Sequence, residues 1–149
     1  MRLEDEIKAS KFMDEVHKAQ LNILFSAAWL RARISATLKP FGLTLEQFNV
    51  LRIIRGQREK LVPVKDISSR TIERSSNTTR IIDRLERKGL VERRPSARDG
   101  RERPVALRPA GLDLLEKIDS CWQKNNPHSA PWTSEDAETV NRLLDKMRG

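Results

Sequence analysis

Apolar residues recur at steps of three and four along most of this chain, and the breaks in that rhythm mark its elements. Phe12, Val16, Ala19, Ile23, Ala27, Leu30, Ile34 and Leu38 form one stripe, which predicts a long amphipathic helix from about Glu4 to Lys39, ended by Pro40-Phe41-Gly42. Ser10 is a candidate cap for a restart, which would leave the first nine residues as a separate turn. Leu21, Leu24, Phe25, Ala28 and Trp29 add a second apolar face. A helix with two such faces has more to bury than one small core accommodates, and subunit association is the natural use of the surplus.

Thr44-Leu45-Glu46-Gln47 has the form of a capping box and opens a helix with Phe48, Leu51 and Ile54 inward, ending at Gly56. Gln57 to Leu61 reads as a polar loop, and Pro63 starts a short helix through Val64, Ile67 and Ser68. A turn leads into the segment from Ser75 to Gly89. There Thr78, Ile81, Ile82 and Leu85 fall on one side, while Ser76, Asn77, Arg80 and Arg84 face away. Gly89 suits a left-handed helix cap, with Lys88 at the negative helix end.

The period then changes. Leu90 to Arg94 and Arg103 to Leu107 read as two short strands around an arginine-rich loop with an Asp99-Gly100 turn signal. Pro104 lacks a backbone donor, which restricts its strand to an edge or a short ladder. Pro109 to about Lys124 is helical, with Leu112, Leu115, Ile118 and Trp122 at helical spacing. Thr133-Ser134-Glu135-Asp136 caps a last helix carrying Ala137, Val140, Leu143, Leu144 and Met147.

Charge changes the picture. The chain has 29 Lys+Arg against 21 Asp+Glu, a net +8, yet Arg52 to Arg108 alone holds 17 basic and 8 acidic residues. All of the excess lies in the middle segment, which calls for a polyanion partner. A short helix, a turn, a polar-fronted helix and a basic hairpin follow one another as in a winged helix-turn-helix. Ser75, Ser76, Asn77, Thr79, Arg80 and Arg84 are the candidate contacts to base edges and phosphates. The competing reading is that Arg80 and Arg84 are solvated and pair with Asp83 and Glu86. In the hairpin loop Asp99 orders the turn, Arg101 is the candidate for a minor groove, and Arg98 and Arg103 are candidates for phosphates.

Ser76-x-x-Thr79-Arg80, Leu85-x-x-x-Gly89-Leu90-Val91 and Asp99-x-Arg101, in that order, resemble the multiple-antibiotic-resistance regulator (MarR) family of winged-helix transcription factors. The resemblance extends over essentially the whole chain. It implies a mainly α fold with a small two-stranded wing, in a single unit spanning 1–149. The helices at about 4–39 and 109–149 would form a homodimer, and about 44–107 would bind double-stranded DNA. It also implies a pseudo-palindromic operator, usually repression, and release by a small molecule or an oxidised cysteine. Two positions depart from the pattern: Thr78 stands where an apolar residue is usual, and Leu107-Arg108-Pro109-Ala110-Gly111 replaces a Leu-Thr cap. No cysteine lies near the start of the first helix, which argues against a peroxide switch there.

Phe25, Trp29 and Phe48 are candidates for a pocket for a small aromatic effector, with plain core packing as the alternative. Cys121 reads as a small buried hydrophobe. With one cysteine and two histidines a metal cluster is not expected, and no cofactor or enzymatic motif is found. The acidic N-terminus and the lack of a long apolar run lead to the expectation of a cytoplasmic protein with no membrane partner. The alternative function is a winged helix used for sequence-indifferent DNA compaction or for protein contacts.

Overall fold

The computed structural model describes residues 1–9, 11–57, 61–72, 77–95, 103–125 and 131–149. Within these, the elements in chain order are α1 (Leu3–Ile7), α2 (Glu15–Leu38), a single 3-10 turn (Lys39–Phe41), α3 (Leu45–Arg55), α4 (Val64–Arg70) and α5 (Thr78–Arg87). They continue with β1 (Val91–Arg93), β2 (Val105–Leu107), α6 (Pro109–Asn125) and α7 (Ser134–Arg148). The fold is therefore mainly helical with a small antiparallel sheet. No helix among the described residues is long and apolar enough to cross a membrane.

The restart expected at Ser10 falls later, and Ser10 itself lies outside the described residues. Asp14 is the N-cap of α2, its carboxylate accepting from the His17 backbone N–H at 2.7 Å. The short α1 is tied back onto α2 by Lys18 Nζ and Glu4 Oε1, 2.7 Å apart. The hydrogen bond from Lys18, followed by one from the backbone, holds the Glu4 carboxyl down at about 2.

Local capping follows the sequence closely. Thr44 and Gln47 form the complete reciprocal box at the start of α3, and Thr133 and Asp136 do the same for α7. At the end of α5 the Leu90 N–H bonds the Leu85 carbonyl (3.0 Å) and the Gly89 N–H bonds the Glu86 carbonyl (2.9 Å). Gly89 adopts φ +70° there, so this is a Schellman termination.

The core lies in the central part of the chain. Phe48, Val50, Leu51 and Ile54 of α3 pack with Ile67 of α4, Ile82 and Leu85 of α5, and Val91 and Val105 of the sheet. Leu38 closes one side from the end of α2, and Leu115 and Ile118 close another from α6. The long arms contribute little more within one chain. Leu38 is the single buried residue of α2, and α7 has none.

The sheet is more than a hairpin. β1 and β2 pair as Val91↔Leu107, Glu92↔Ala106 and Arg93↔Val105. Val62, the residue after the Gln57–Leu61 segment read as a loop, pairs with the other side of Val105 through N–H···O bonds of 2.9 and 2.8 Å. At Val105, β2 is thus central rather than marginal. Pro104 is compatible with this because it precedes the strand, where its carbonyl accepts from Arg94 N–H at 3.0 Å and no donor is required.

The first turn of α6 sits flush against the end of β1. The Leu90 carbonyl accepts from the Arg108 N–H at 3.0 Å. A Cβ at Gly111 would come within 2.3 Å of that same oxygen and 3.2 Å of Leu107 Cδ2. The glycine in the departed cap sequence therefore permits the contact between α6 and the sheet. Gly111→Ala is expected to destabilise the protein by about 1–3 kcal/mol, since the obstacle is backbone. Gly56→Ala, whose Cβ would lie 3.4 Å from its nearest neighbour in a helical backbone, should be neutral or slightly stabilising. Denaturant unfolding of the two variants beside the parent chain checks both.

Candidate nucleic-acid interface

α4 and α5 are the two helices of the helix-turn-helix. Pro63 is the N-cap of α4, with its carbonyl accepting from Asp66 and Ile67. On α5, Thr78, Ile82 and Leu85 are buried and Ile81 is half-buried against the core. The opposite face carries Asn77, Thr79, Arg80, Arg84 and Arg87, all exposed. The structure thus gathers four of the sequence-selected residues, Asn77, Thr79, Arg80 and Arg84, at one surface. Ser75 and Ser76 lie outside the described residues, as do Arg98, Asp99 and Arg101 of the wing loop. Arg103 is exposed just before Pro104.

The helix begins later than the polar run suggested, at Thr78, with Asn77 as its N-cap. At φ −100° and ψ 0° the Asn77 side chain makes no capping bond, so its amide remains available for another partner. The Thr78 hydroxyl is buried with no hydrogen-bond partner among the described residues. That gives physical content to the departure noted in the sequence, because an unpaired buried hydroxyl opposes stability.

The acidic groups of α5 are occupied from the sheet. Arg93 on β1 reaches Asp83 Oδ1 with one terminal nitrogen at 2.5 Å and Glu86 Oε2 with the other at 2.5 Å. Its backbone N–H also donates to Glu86 Oε1 at 3.0 Å. Burial works against the guanidinium charge, but the bonds it donates to Asp83 and Glu86 outweigh this and raise its pKa. The local pairing anticipated between these carboxylates and Arg80 or Arg84 is absent among the described residues. Just past the C-terminus of α5, Lys88 Nζ donates to the Gly42 carbonyl at 2.5 Å and to Gln47 Oε1 at 3.1 Å.

Behind α5 lies a cleft of about 220 Å³, lined by Ile34, Phe48, Arg52, Ile72, Ile81 and Trp122 among others. Phe48 meets Trp122 edge-on at 4.8 Å between ring centroids, and the Arg52 guanidinium lies 5.8 Å from the Phe48 ring. Of the three aromatic residues selected from the sequence, Phe48 lines this cleft and Phe25 and Trp29 do not. Trp29 is partly exposed on α2 under Arg33, 5.2 Å away. Trp122 had the helical spacing of a core residue, four beyond Ile118, and nothing in the sequence marked it as facing Phe48.

A helix-turn-helix with a basic reading face, followed by a β-hairpin on the same core, defines a winged helix-turn-helix. The chain belongs to the MarR family of DNA-binding transcription regulators, whose family profile matches residues 41–102. It is 33% identical over 107 residues to the HTH-type transcriptional regulator SarZ of Staphylococcus saprophyticus, covering 70% of this chain and 72% of that protein. The HTH-type transcriptional repressor IacR of Pseudomonas putida is 28% identical over 109 residues, covering 72% of this chain. That match spans 64% of the length of IacR. Among solved structures, a cysteine-to-serine mutant of E. coli MarR complexed with operator DNA superposes with a TM-score of 0.79. It is 25% identical and covers 93% of this chain and 99% of that one.

Proposed function

We propose that this protein is a sequence-specific transcriptional repressor that binds a pseudo-palindromic operator as a homodimer. The observation that carries the reading is the uncommitted face of α5. Asn77 makes no cap bond, and Arg80 and Arg84 have no ion-pair partner among the described residues while the adjacent carboxylates are engaged elsewhere. Exposed arginines without internal partners, in a segment that holds the whole positive excess of the chain, are suited to phosphates and base edges. Repression is supported by the name of the P. putida relative, and operator binding by the complex of the E. coli protein.

Dimerisation is supported by apolar surface that a single chain leaves uncovered. Val16, Leu24 and Leu30 on α2, Leu112 on α6, and Leu143 and Met147 on α7 are all exposed. Covering such a surface with a second copy would set two recognition helices on successive turns of one DNA face, which requires an inverted repeat. Sedimentation at micromolar concentration should give twice the 17.2 kDa chain mass, and a monomer would refute the arrangement.

The cleft behind α5 supports regulation by a small effector. Phe48 and Trp122 offer aromatic walls, Arg52 offers positive charge, and Ile81 belongs to the recognition helix itself, so an aromatic acid bound there would bear on its position. Such a ligand releases DNA only through tighter binding to the incompetent state, and a tenfold effect needs ~1.4 kcal/mol of differential affinity. A thermal-shift screen of aromatic acids and phenols, followed by operator titration with the compounds that bind, is expected to yield ligands that weaken the complex. Ligands that bind and leave operator affinity unchanged would refute this role.

The base-reading role of α5 has its own test. Asn77→Ala should cost ~1–3 kcal/mol of discrimination, weakening operator binding while leaving affinity for random duplex nearly intact. Arg101→Ala in the wing should weaken both and lower the salt slope by about one. Titrations of both variants on both duplexes at several salt concentrations check this. Equal losses on both DNAs for Asn77→Ala would remove α5 as the reader and favour a sequence-indifferent binder.

A further inference from the structure

We propose that Arg93 is a positioning residue for DNA recognition: it draws the two carboxylates of α5 toward the sheet and so keeps the reading face cationic. The inference rests on the α5 reading face described under the proposed function. Asp83 stands three residues after Arg80 and four before Arg87, the spacings at which opposite charges meet on a helix surface. An Asp83 left to itself would pair with those arginines and would also present a negative charge to approaching phosphates. Instead it is held at 2.5 Å by Arg93, which belongs to β1.

Three features give Arg93 the advantage over the helix arginines. Its guanidinium bridges Asp83 and Glu86 with separate nitrogens, a planar two-armed contact that a single helix pair does not match. The backbone N–H of the same residue is bonded to Glu86 Oε1, so its position is fixed by the strand before the side chain is counted. Its side chain is only 17% exposed, against 47% for Asp83, so the pair is better shielded from water than one on the outer face. The same features leave Arg93 poorly placed as a phosphate ligand, because both terminal nitrogens are already committed. Its contribution to DNA binding runs through Asp83 and Glu86.

The test compares the wild-type protein, Arg93→Gln, and the triple variant Arg93→Gln/Asp83→Asn/Glu86→Gln. Each is titrated with a duplex enriched by the wild-type protein from a random pool, and with random duplex, over a range of salt. Arg93→Gln is expected to lose about tenfold or more in affinity and to show a salt slope shallower by about one, as a helix arginine is recaptured. The triple variant lacks both ion pairs of the clamp and is nevertheless expected to regain most of the affinity and of the slope, since no carboxylate of α5 remains to compete. A triple variant as weak as Arg93→Gln overturns the proposal and makes Arg93 a strut or a phosphate ligand. An unchanged affinity for Arg93→Gln overturns it equally.

If thermal melting finds Arg93→Gln unfolded, Asp83→Asn/Glu86→Gln with Arg93 retained decides the question. The proposal expects operator affinity no lower than wild type, whereas a strut would weaken it. Failure of the underlying reading is separate, since it appears as no enrichment of any duplex by the wild-type protein. The salt-slope comparison on random duplex still judges Arg93 in that case.

Discussion

The turn at Gly89 sets most of the geometry that matters here. Its left-handed backbone ends α5 in a Schellman motif and sends the chain directly into β1, so only Lys88, Gly89 and Leu90 separate the helix from the wing strand. The Leu90 carbonyl, freed from the helix ladder, takes the Arg108 N–H, and Gly111 lets α6 close on the same oxygen. Recognition helix, wing and the first turn of α6 therefore share one backbone junction. A residue with a side chain at Gly111 would separate them.

That junction also organises charge. Because β1 leaves the helix at a fixed angle, Arg93 arrives opposite Asp83 and Glu86 and bonds both. Two negative groups on the helix proposed to face DNA would otherwise oppose binding through simple Coulomb repulsion. Lys88 makes a comparable link at the other boundary, joining the end of α5 to the Gly42 carbonyl and to Gln47 of the α3 capping box. The recognition helix is thus held at its C-terminal end by the corner between α2 and α3, while its N-terminal face has no partner among the described residues.

Burial divides the chain unevenly. The central part has a contiguous core from Phe48 to Ile118, whereas α2 and α7 leave most of their apolar residues outside it. The cleft between Phe48, Arg52, Ile81 and Trp122 lies where these two regimes meet, behind the helix that carries the reading face. A change in how that cleft is filled bears on α5 through Ile81, which is only half-buried and so has room to repack.

The elements were largely legible in the sequence because their determinants are local. The capping boxes at Thr44 and Thr133, the Gly89 termination and the inward set Thr78, Ile82 and Leu85 each depend on residues within one or two helical turns. The family resemblance rested on the same short-range motifs. What only the tertiary structure decided involves partners distant in sequence, or a choice among several acceptable ones. Val62 pairs with Val105 because the core brings the end of a loop to a half-paired strand, and a lone apolar residue carries no strand period. Trp122 meets Phe48, and Phe25 and Trp29 do not line that cleft, because helix packing rather than aromatic content selects ring neighbours. Asp83 has Arg80, Arg87 and Arg93 within its sequence neighbourhood, and spacing alone favours the first two. The strand direction set at Gly89 and the shielding beside the sheet give it to Arg93, and that choice leaves the recognition face positive.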